Sequence, residues 1–600
     1  MDRTGIIVVS LCVVLLGIWF VETNKRAMQQ ARYAATNQVA RAQSQPTGAN
    51  SNAIPPPGIS TTTPTASVFD TNQPETLLVI TNGRARYTFT SRGGGLESVE
   101  LLDYPETISP RWKKKVAKDG VATLNTRAPL PVLVILGDTN LMGDGTFTLA
   151  PTADNLGVRA EKSLANGLRL AKEFRLSSNY LVNVSVRLEN ATDQPSALAA
   201  QEWVIGTATP MGPDDTGFGM NEGALWFDGV NTQDRTVSWF SGSGFGCFRG
   251  APRLEYLAGS NNVVWAAAHN QFFALMAMSK DPASQLIARP VTLPPFPNVE
   301  AIPGAPLPPG VQIAFVYPAT TLAAHSAVDR QIVFFAGPKE YRLLARIGDQ
   351  FQNQADLVMQ FGRYLGFFAK ALLLAMNWLH DVTRLGYGWV IVLITVLIKV
   401  VFWPLTAAST RSMKRMQALA PEMQALKEKY GDDMQKLTQK QWELYRKHRV
   451  SPMSGCLPMA IQMPVFIGFF TMIRSAIELR GAHFLWIADL SKPDTIFMIP
   501  GINFPFNPLP LLMGGAMLWQ SHLTPPSPGM DPAQAKMMRY MPLLFLVFLY
   551  NYSSGLALYW TVNNVLTIAQ TKLTKMNQPP AGPATPAPAS ALTPASKKKK

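Results

Sequence analysis

The chain is poor in the residues that carry most metal and covalent chemistry. Its 600 residues include 3 cysteines and 6 histidines. Cys12, Cys247 and Cys456 lie far apart, and no Cys/His group has metal-ligand spacing. Cys12 and Cys456 fall in or beside apolar runs, so the large middle region has Cys247 alone and no internal disulfide is expected there, even in an oxidising compartment. Charge is also scarce: 16% of residues, low for a soluble protein. Acids are the rarer sign, 39 against 54 basic residues, which leaves a net charge of +15. No basic surface interleaved with aromatics points to sequence-reading of nucleic acid. What the chain has in quantity is apolar residues, 47%, gathered at the N-terminus and after Phe361. A chain this long divides into at least two units.

The first apolar run, Ile6 to Val21, follows Arg3 and with Thr4 and Gly5 has the length of a span, roughly 17–25 residues. Residues 4–21 are therefore expected to form an N-terminal transmembrane anchor. The competing reading is a cleaved signal peptide, but no small-x-small cleavage site follows. Lys25, Arg26 and Arg32 weaken the charge bias for the anchor orientation. Residues 22–67 are rich in Pro, Ser, Thr and Ala without periodicity and predict a disordered linker.

From 68 to 336 the pattern is strands and turns. Tyr180, Val182, Val184, Val186 and Leu188 alternate onto one face, and Arg84–Thr90 alternates before the Gly93-Gly94-Gly95 turn. Leu77–Thr81, Val132–Leu136, Val263–Ala268, Ile313–Tyr317 and Gln331–Phe335 are further strand candidates. A large all-β sandwich is expected. His269 and His325 are its only histidines, and Asp214-Asp215 lies in a Gly/Pro-rich loop. No G-x-S-x-G, H-E-x-x-H or P-loop occurs in this region, so isolated histidines and loop acids read as structural or solvated groups.

Residues 337–386 predict connecting and amphipathic helices. Tyr364, Phe367, Phe368, Ala371, Leu374, Ala375 and Trp378 recur at spacings of three and four, interrupted by Arg363, Lys370, Asn377, His380 and Asp381. That suits a helix lying in the membrane interface, with a buried helix of the β unit as the alternative. A membrane module is expected over 387–576, with spans near 387–405, 456–477, 508–523, 541–552 and 555–571. The short turn Asn551–Gly555 predicts that the last two are antiparallel neighbours. The basic loop between the first two spans, and the tail 577–600 ending in Lys597–Lys600, are cytoplasmic by the positive-inside rule. The expected architecture is thus an α-helical polytopic membrane protein. It has six transmembrane helices, five of them forming the core bundle, and a β sandwich on the outer, periplasmic side. Both termini are inside. Within 409–450, Met413, Met416, Ala420, Met423 and Leu426 precede Gly431, and Met434, Leu437, Gln441, Leu444 and His448 follow it. Two such stripes predict a cytoplasmic helical hairpin, its methionines either a seam or a surface that grips apolar segments.

Lys399 stands alone in the apolar run from Val390 to Pro404. A charge at mid-bilayer costs at least about 2.5–3.5 kcal/mol, so it needs water, a partner or a use. Snorkelling is one reading, since Trp403 is only about 6 Å of helix rise away. The other is a wet groove. Thr395 lies one turn away, and the other spans carry Gln462, Gln520, Asn551, Asn563, Asn564 and Gln570. Met463, Phe466, Leu546 and Phe548 offer an apolar face beside it. No intramembrane carboxylate stands near, and Arg474 and Glu478, four apart, are expected to pair with each other.

Several strings resemble one family: Tyr387-Gly-Trp…Lys399…Trp403-Pro-Leu-Thr406, Lys429-Tyr-Gly-Asp-Asp433, Pro452-x-x-Gly-Cys-Leu-Pro458, Gln462-Met-Pro-Val-Phe466, Glu478-Leu-Arg480 and Ser554–Trp560. With Arg92-Gly-Gly94 and Gly337-Pro-Lys339 in the middle region, the chain resembles the YidC insertases, relatives of the mitochondrial oxidase-assembly and thylakoid insertases. The resemblance implies an insertase and chaperone of integral membrane proteins that needs neither ATP nor a cofactor. Its substrate groove would involve Lys399, Thr395, Gln462, Gln520, Tyr559, Trp560 and Asn563, and its substrate-contact face Met463, Phe466, Leu546 and Phe548. Many members carry arginine where this chain has Lys399; the charge is kept and the bidentate fork lost. Implied partners are nascent membrane proteins, the Sec translocon (SecYEG, SecDF), the phospholipid bilayer and, through the basic tail, the ribosome. The rival functions are a secondary transporter, which would call for a midplane substrate or coupling-ion site, and a membrane-anchored periplasmic carbohydrate-binding or -modifying protein.

Overall fold

The structure, a computed structural model, describes residues 69, 74–106, 120–212, 222–242, 251–296, 307–362, 365–431, 433–448, 450, 457–499, 504–523 and 532–576. The N-terminal anchor, the linker, Asp214-Asp215, Cys247, Cys456 and the basic tail lie outside the described residues.

The middle region is built from antiparallel sheets of nine, five and four strands. Strand Leu181–Asn190 shows why. Val182, Val184, Val186 and Leu188 are each at most 3% exposed while Asn183 and Arg187 face out, so period two buries one face. It pairs Ala327–Pro338 on one side and Leu168–Leu176 on the other. Between the two larger sheets, Trp203, Leu275 and Phe315 are buried in one core, while Trp265, on the other face of the nine-stranded sheet, donates from Nε1 to Asn353 O at 2.9 Å. Strand Gln201–Ala208 is buried at every position.

One expected strand is corrected. Of Val132–Leu136 only Ile135–Leu136 forms a strand, because Leu133 takes a positive φ of 64°. Val132 bridges Leu96 in one sheet and Ile135 pairs Trp203 in another, so the segment is a corner. The Gly93-Gly94 turn has positive φ, and a Cβ at Gly94 would lie 2.4 Å from Phe147. Nearby Lys172, fully buried, donates to Gly93 O at 2.6 Å and Leu133 O at 2.7 Å.

The helical region follows strand Ala327–Pro338. Helices α1 (Tyr341–Phe351) and α2 (Gly366–Thr383) lead to α3 (Tyr387–Ala418). Then come α4 (Ala420–Tyr430), α5 (Met434–Lys447), α6 (Leu457–Ser475), α7 (Pro508–Leu523), α8 (Pro532–Leu549) and α9 (Ser554–Met576). By length and composition, one helix among the described residues is apolar enough to cross a membrane: α3, with mean hydropathy 2.4 over its best window.

Four expectations change here. In α2 the packed stripe is Gly366, Ala369, Leu373, Met376 and Leu379, which faces α6 and α3. The face read from the sequence leaves Ala371 and Trp378 exposed; α2 is apolar on both sides, and its packing follows the close approach at Gly468, where a Cβ would lie 2.9 Å from Phe368. Helix α3 runs 32 residues, through Pro404, a rise of about 48 Å. Met413 and Met416 therefore belong to its extension, and the hairpin arms are α4 and α5, closed by buried Met423, Leu437 and Leu444. Helix α8 begins at Pro532, well before the apolar run that marked its span, with Lys536 in its first turns. Finally, α8 and α9 are joined by a short turn yet are splayed. Helix α8 packs mainly on α7, and α9 on α7 and α3. Asn507 packs at the turn, donating from Nδ2 to Tyr550 O at 2.9 Å and accepting from Thr495 Oγ1 at 2.7 Å.

Candidate functional site

Two polar stripes meet where α3 packs against α9. On α3 they are Lys399, the Trp403 carbonyl and Thr406; on α9, Asn563, Thr567 and Gln570. Both have spacings of four and three, which place residues on one helix face. Lys399 Nζ donates to Thr567 Oγ1 at 2.8 Å. Gln570 Nε2 donates to Thr406 Oγ1 and reaches Trp403 O at 3.5 Å. Among the described residues no ion pair involves Lys399. Its charge is answered by one neutral hydroxyl, and it is half-buried.

A second junction lies between α6 and α9. Gln462 Nε2 donates to the Tyr559 hydroxyl, and Tyr559 stacks on Phe469 with ring centroids 4.0 Å apart. Trp560 meets Phe466 edge-on at 4.5 Å and Phe545 of α8 at 5.8 Å. Leu546 packs over Gly514 of α7, where a Cβ would lie 3.0 Å from it. Met463 and Phe548 are 47% and 57% exposed, so an apolar surface stays open beside the polar junctions.

The candidate residues thus separate. Lys399 belongs to one junction; Gln462, Phe466, Tyr559 and Trp560 to the other; Met463 and Phe548 to the open surface. Thr395 is 1% exposed and donates to Ile391 O within its own helix, so it is packed rather than lining an opening. Asn563 is half-buried and accepts from Thr567 through its backbone carbonyl at 2.7 Å. Gln520, on α7, is half-buried. Thr406 entered the sequence reading only as the end of a family string and Thr567 not at all, although Asn563, Thr567 and Gln570 form a regular stripe along α9.

Glu478 does not take Arg474. Helix α6 ends at Ser475, and Glu478 sits in a 3-10 turn, its Oε1 accepting from Asn377 Nδ2 at 2.7 Å and its Oε2 without a hydrogen bond. Burial raises its carboxyl above the usual range.

His269 of the β unit is not isolated. Lys339 Nζ lies 2.9 Å from His269 Nδ1, and His269 Nε2 lies 3.2 Å from Asp234 Oδ1. The ammonium can only donate, so Nδ1 accepts and Nε2–H donates to the carboxylate. Gln360 Nε2 donates to Asp234 Oδ2 at 2.8 Å, which ties the segment entering α2 to the sheet. Burial lowers the His269 imidazole, and it lowers the Lys339 ammonium to about 7. The Asp234 carboxyl is held low by His269 despite its own burial. His325 pairs with Asp193 at 2.7 Å on the surface.

Comparison with known proteins matches both regions in tandem. The family described as the YidC periplasmic domain matches residues 77–375, and that described as the 60Kd inner membrane protein matches 378–580. A membrane protein insertase YidC of Bordetella pertussis is 33% identical over 506 residues, 82% of this chain and 81% of the relative. Another, from Pseudomonas paraeruginosa, is 41% identical over 259 residues, 43% of this chain and 42% of the relative. A solved structure of an active YidC insertase with its first transmembrane domain resolved aligns with TM-score 0.33 and 18% identity, over 82% of this chain and 92% of that one. With a relative matched over most of both lengths and both regions matched in order, the chain belongs to the YidC family of membrane protein insertases.

Proposed function

We propose that this chain inserts integral membrane proteins into the bacterial inner membrane by lowering the cost of bringing hydrated, acidic segments past the bilayer surface. The single observation that carries the reading is the Lys399–Thr567 junction, a cation in an apolar helix that, among the described residues, is answered by one hydroxyl. A buried ammonium that meets a carboxylate is neutralised; one that meets a hydroxyl keeps most of its field. Acidic residues of an incoming chain gain from that field while water leaves them. The Thr406–Gln570 contact continues the polar path toward the end of α3 that carries the basic hairpin. Open Met463 and Phe548 give the apolar part of the same substrate a lipid-like surface.

In this reading the chain has six spans, the anchor 4–21 and five from the helical region, with both termini cytoplasmic and the β unit periplasmic. The work is non-covalent: no bond is made or broken, and no nucleotide is spent. The chain works alone or beside a Sec translocon, with the basic tail near the ribosome or anionic lipid. The test is purified full-length protein in liposomes with a small single-span substrate. Insertion without ATP is expected, impaired by Lys399→Ala and largely kept by Lys399→Arg. Equal insertion by wild type and Lys399→Glu would sink the groove mechanism.

A further inference from the structure

Just before α7 the chain forms a two-stranded antiparallel ribbon, Phe497–Ile499 against Phe504–Phe506, which pairs with no other strand among the described residues. Such a ribbon is marginal in water by itself. Period two sets its faces. Phe497 and Phe504 project from one, Ile496 and Met498 from the other, and all four are between 37% and 45% exposed. No charge offsets these apolar faces: from Thr495 through Met530 the sequence has no Asp, Glu, Lys or Arg.

The base of the ribbon is fixed. Tyr550, just past the end of α8, stacks on Phe504 with ring centroids 5.1 Å apart and donates from its hydroxyl to Pro505 O at 2.8 Å. Asp494, which precedes the ribbon, accepts at Oδ2 from Leu509 N at 2.7 Å in the first turn of α7. The same oxygen accepts from Nε1 of exposed Trp486 at 3.1 Å. The apolar side chains are therefore held out at the ends of α7 and α8.

Three observations say what covers them. A protein partner docks on one face, whereas this ribbon is apolar on both, which suits a surrounding medium. Its surface runs on into α8, where Val547, one turn back from Tyr550, is 73% exposed. And α7 is short: its 16 residues rise about 24 Å, against a hydrocarbon core of about 30 Å. A short span needs flanking groups to make up the difference. Open strand edges stay out of hydrocarbon, so the strands belong at the hydrated carbonyl layer with their side chains reaching the acyl chains.

We propose that the ribbon is embedded in the outer leaflet, its backbone at the interface and Phe497, Met498 and Phe504 in the upper acyl region, where they supply the apolar height that α7 lacks. The proposal rests on the topology given above, which puts the start of α7 at the outer surface.

The test uses the full-length protein with Cys12, Cys247 and Cys456 replaced by serine, one copy per nanodisc. An environment-sensitive fluorophore is attached in Phe497→Cys or Met498→Cys, and the lipids carry a nitroxide near the top or near the end of the acyl chain. At both positions the shallow nitroxide should quench about twofold more than the deep one, because the open strand edges hold the ribbon at the interface. The same label in Leu156→Cys, at a site 55% exposed in the β unit, should not be quenched by either. Ribbon labels quenched no more than the Leu156→Cys label overturn the proposal. So does dry, unquenched emission, which would put protein over the ribbon, and so does emission that turns dry only in discs holding two copies, which would assign it to a second copy. The topology has its own readout: an impermeant maleimide applied to intact spheroplasts should label Leu156→Cys. Protection there, with the ribbon still quenched, overturns the topology while the lipid contact stands.

Discussion

Lys172 in the β unit and Lys399 in the helical region are both lysines removed from bulk water, and they are treated in opposite ways. Lys172 is fully buried, donates to two carbonyls and lies 4.6 Å from the Phe147 ring. Lys399 has a single hydroxyl and a polar stripe leading away from it. A saturated cation is a rivet: its contacts are internal and its removal is felt by the fold. In the proposed reading an under-satisfied one keeps capacity for a visitor, and its removal should be felt by function. How many donors are spent separates the two roles better than burial does.

The comparison breaks most readily on paired substitutions. Lys399→Met is expected to cut insertion of a substrate with an acidic tail by about tenfold while costing under about 1 kcal/mol of stability. Lys172→Met should do the reverse. It strands two carbonyls and should lower unfolding free energy by about 3 kcal/mol, with insertion per folded molecule unchanged. Denaturant titration and the liposome assay, run on both variants, read this directly; matching profiles would end the distinction.

Next in size is Gly94→Ala, which meets a positive φ and the Phe147 ring at once and should cost about 2 kcal/mol in the β unit alone. Acid should act on the same unit. The His269 imidazole is lowered on folding, so the unfolded chain binds the proton first and stability is lost as pH falls below about 6.5. Asp234, also lowered, adds to the loss only at lower pH, as the medium falls below the ordinary carboxyl range and on through its folded value. Melting temperature against pH should therefore slope downward toward acid, beginning above pH 7 with the lowered Lys339, and His269→Gln should flatten the part of that slope below about pH 6.5. The smallest effect is expected from Thr567→Val, which leaves the Lys399 charge and removes its one partner: insertion changing by about two- to fivefold, without the loss that Lys399→Met gives. A Thr567→Val defect equal to that of Lys399→Met would mean that the junction, rather than the charge, is what matters.

Much of the β unit could be read from alternation alone, because half-buried strands write their period into the sequence, as Val182 to Leu188 do. The corner at Leu133 could not, since a positive φ at leucine has no compositional mark. In the helical region the apolar runs located the helices but not their ends. Hydropathy reports where an apolar run stops, and α3 and α8 extend past that point. The splay of α8 from α9 was hidden because the contacts that accompany it are distant in sequence, Asn507 lying 43 residues from its partner Tyr550. Lys399 was conspicuous as the only charge in its run; Thr567 was not, because one threonine in a span carries no signal by itself.

The length of α3 has a mechanical side. One continuous rod joins Lys399 to the base of the helical hairpin, so in the proposed reading a load on α4 and α5 pushes on a lever. Pro404 sits five residues beyond the lysine and lacks the N–H that would close the rung to Val400, which makes it the compliant point of that lever. Load on the hairpin should bend the rod at Pro404 and leave the lysine in place. Spin-label distances from α5 to α9 should then be broad in wild type and narrow in Pro404→Ala, with the Lys399 end equally sharp in both. In the proposed reading, a joint there isolates the Lys399 junction from load on the hairpin.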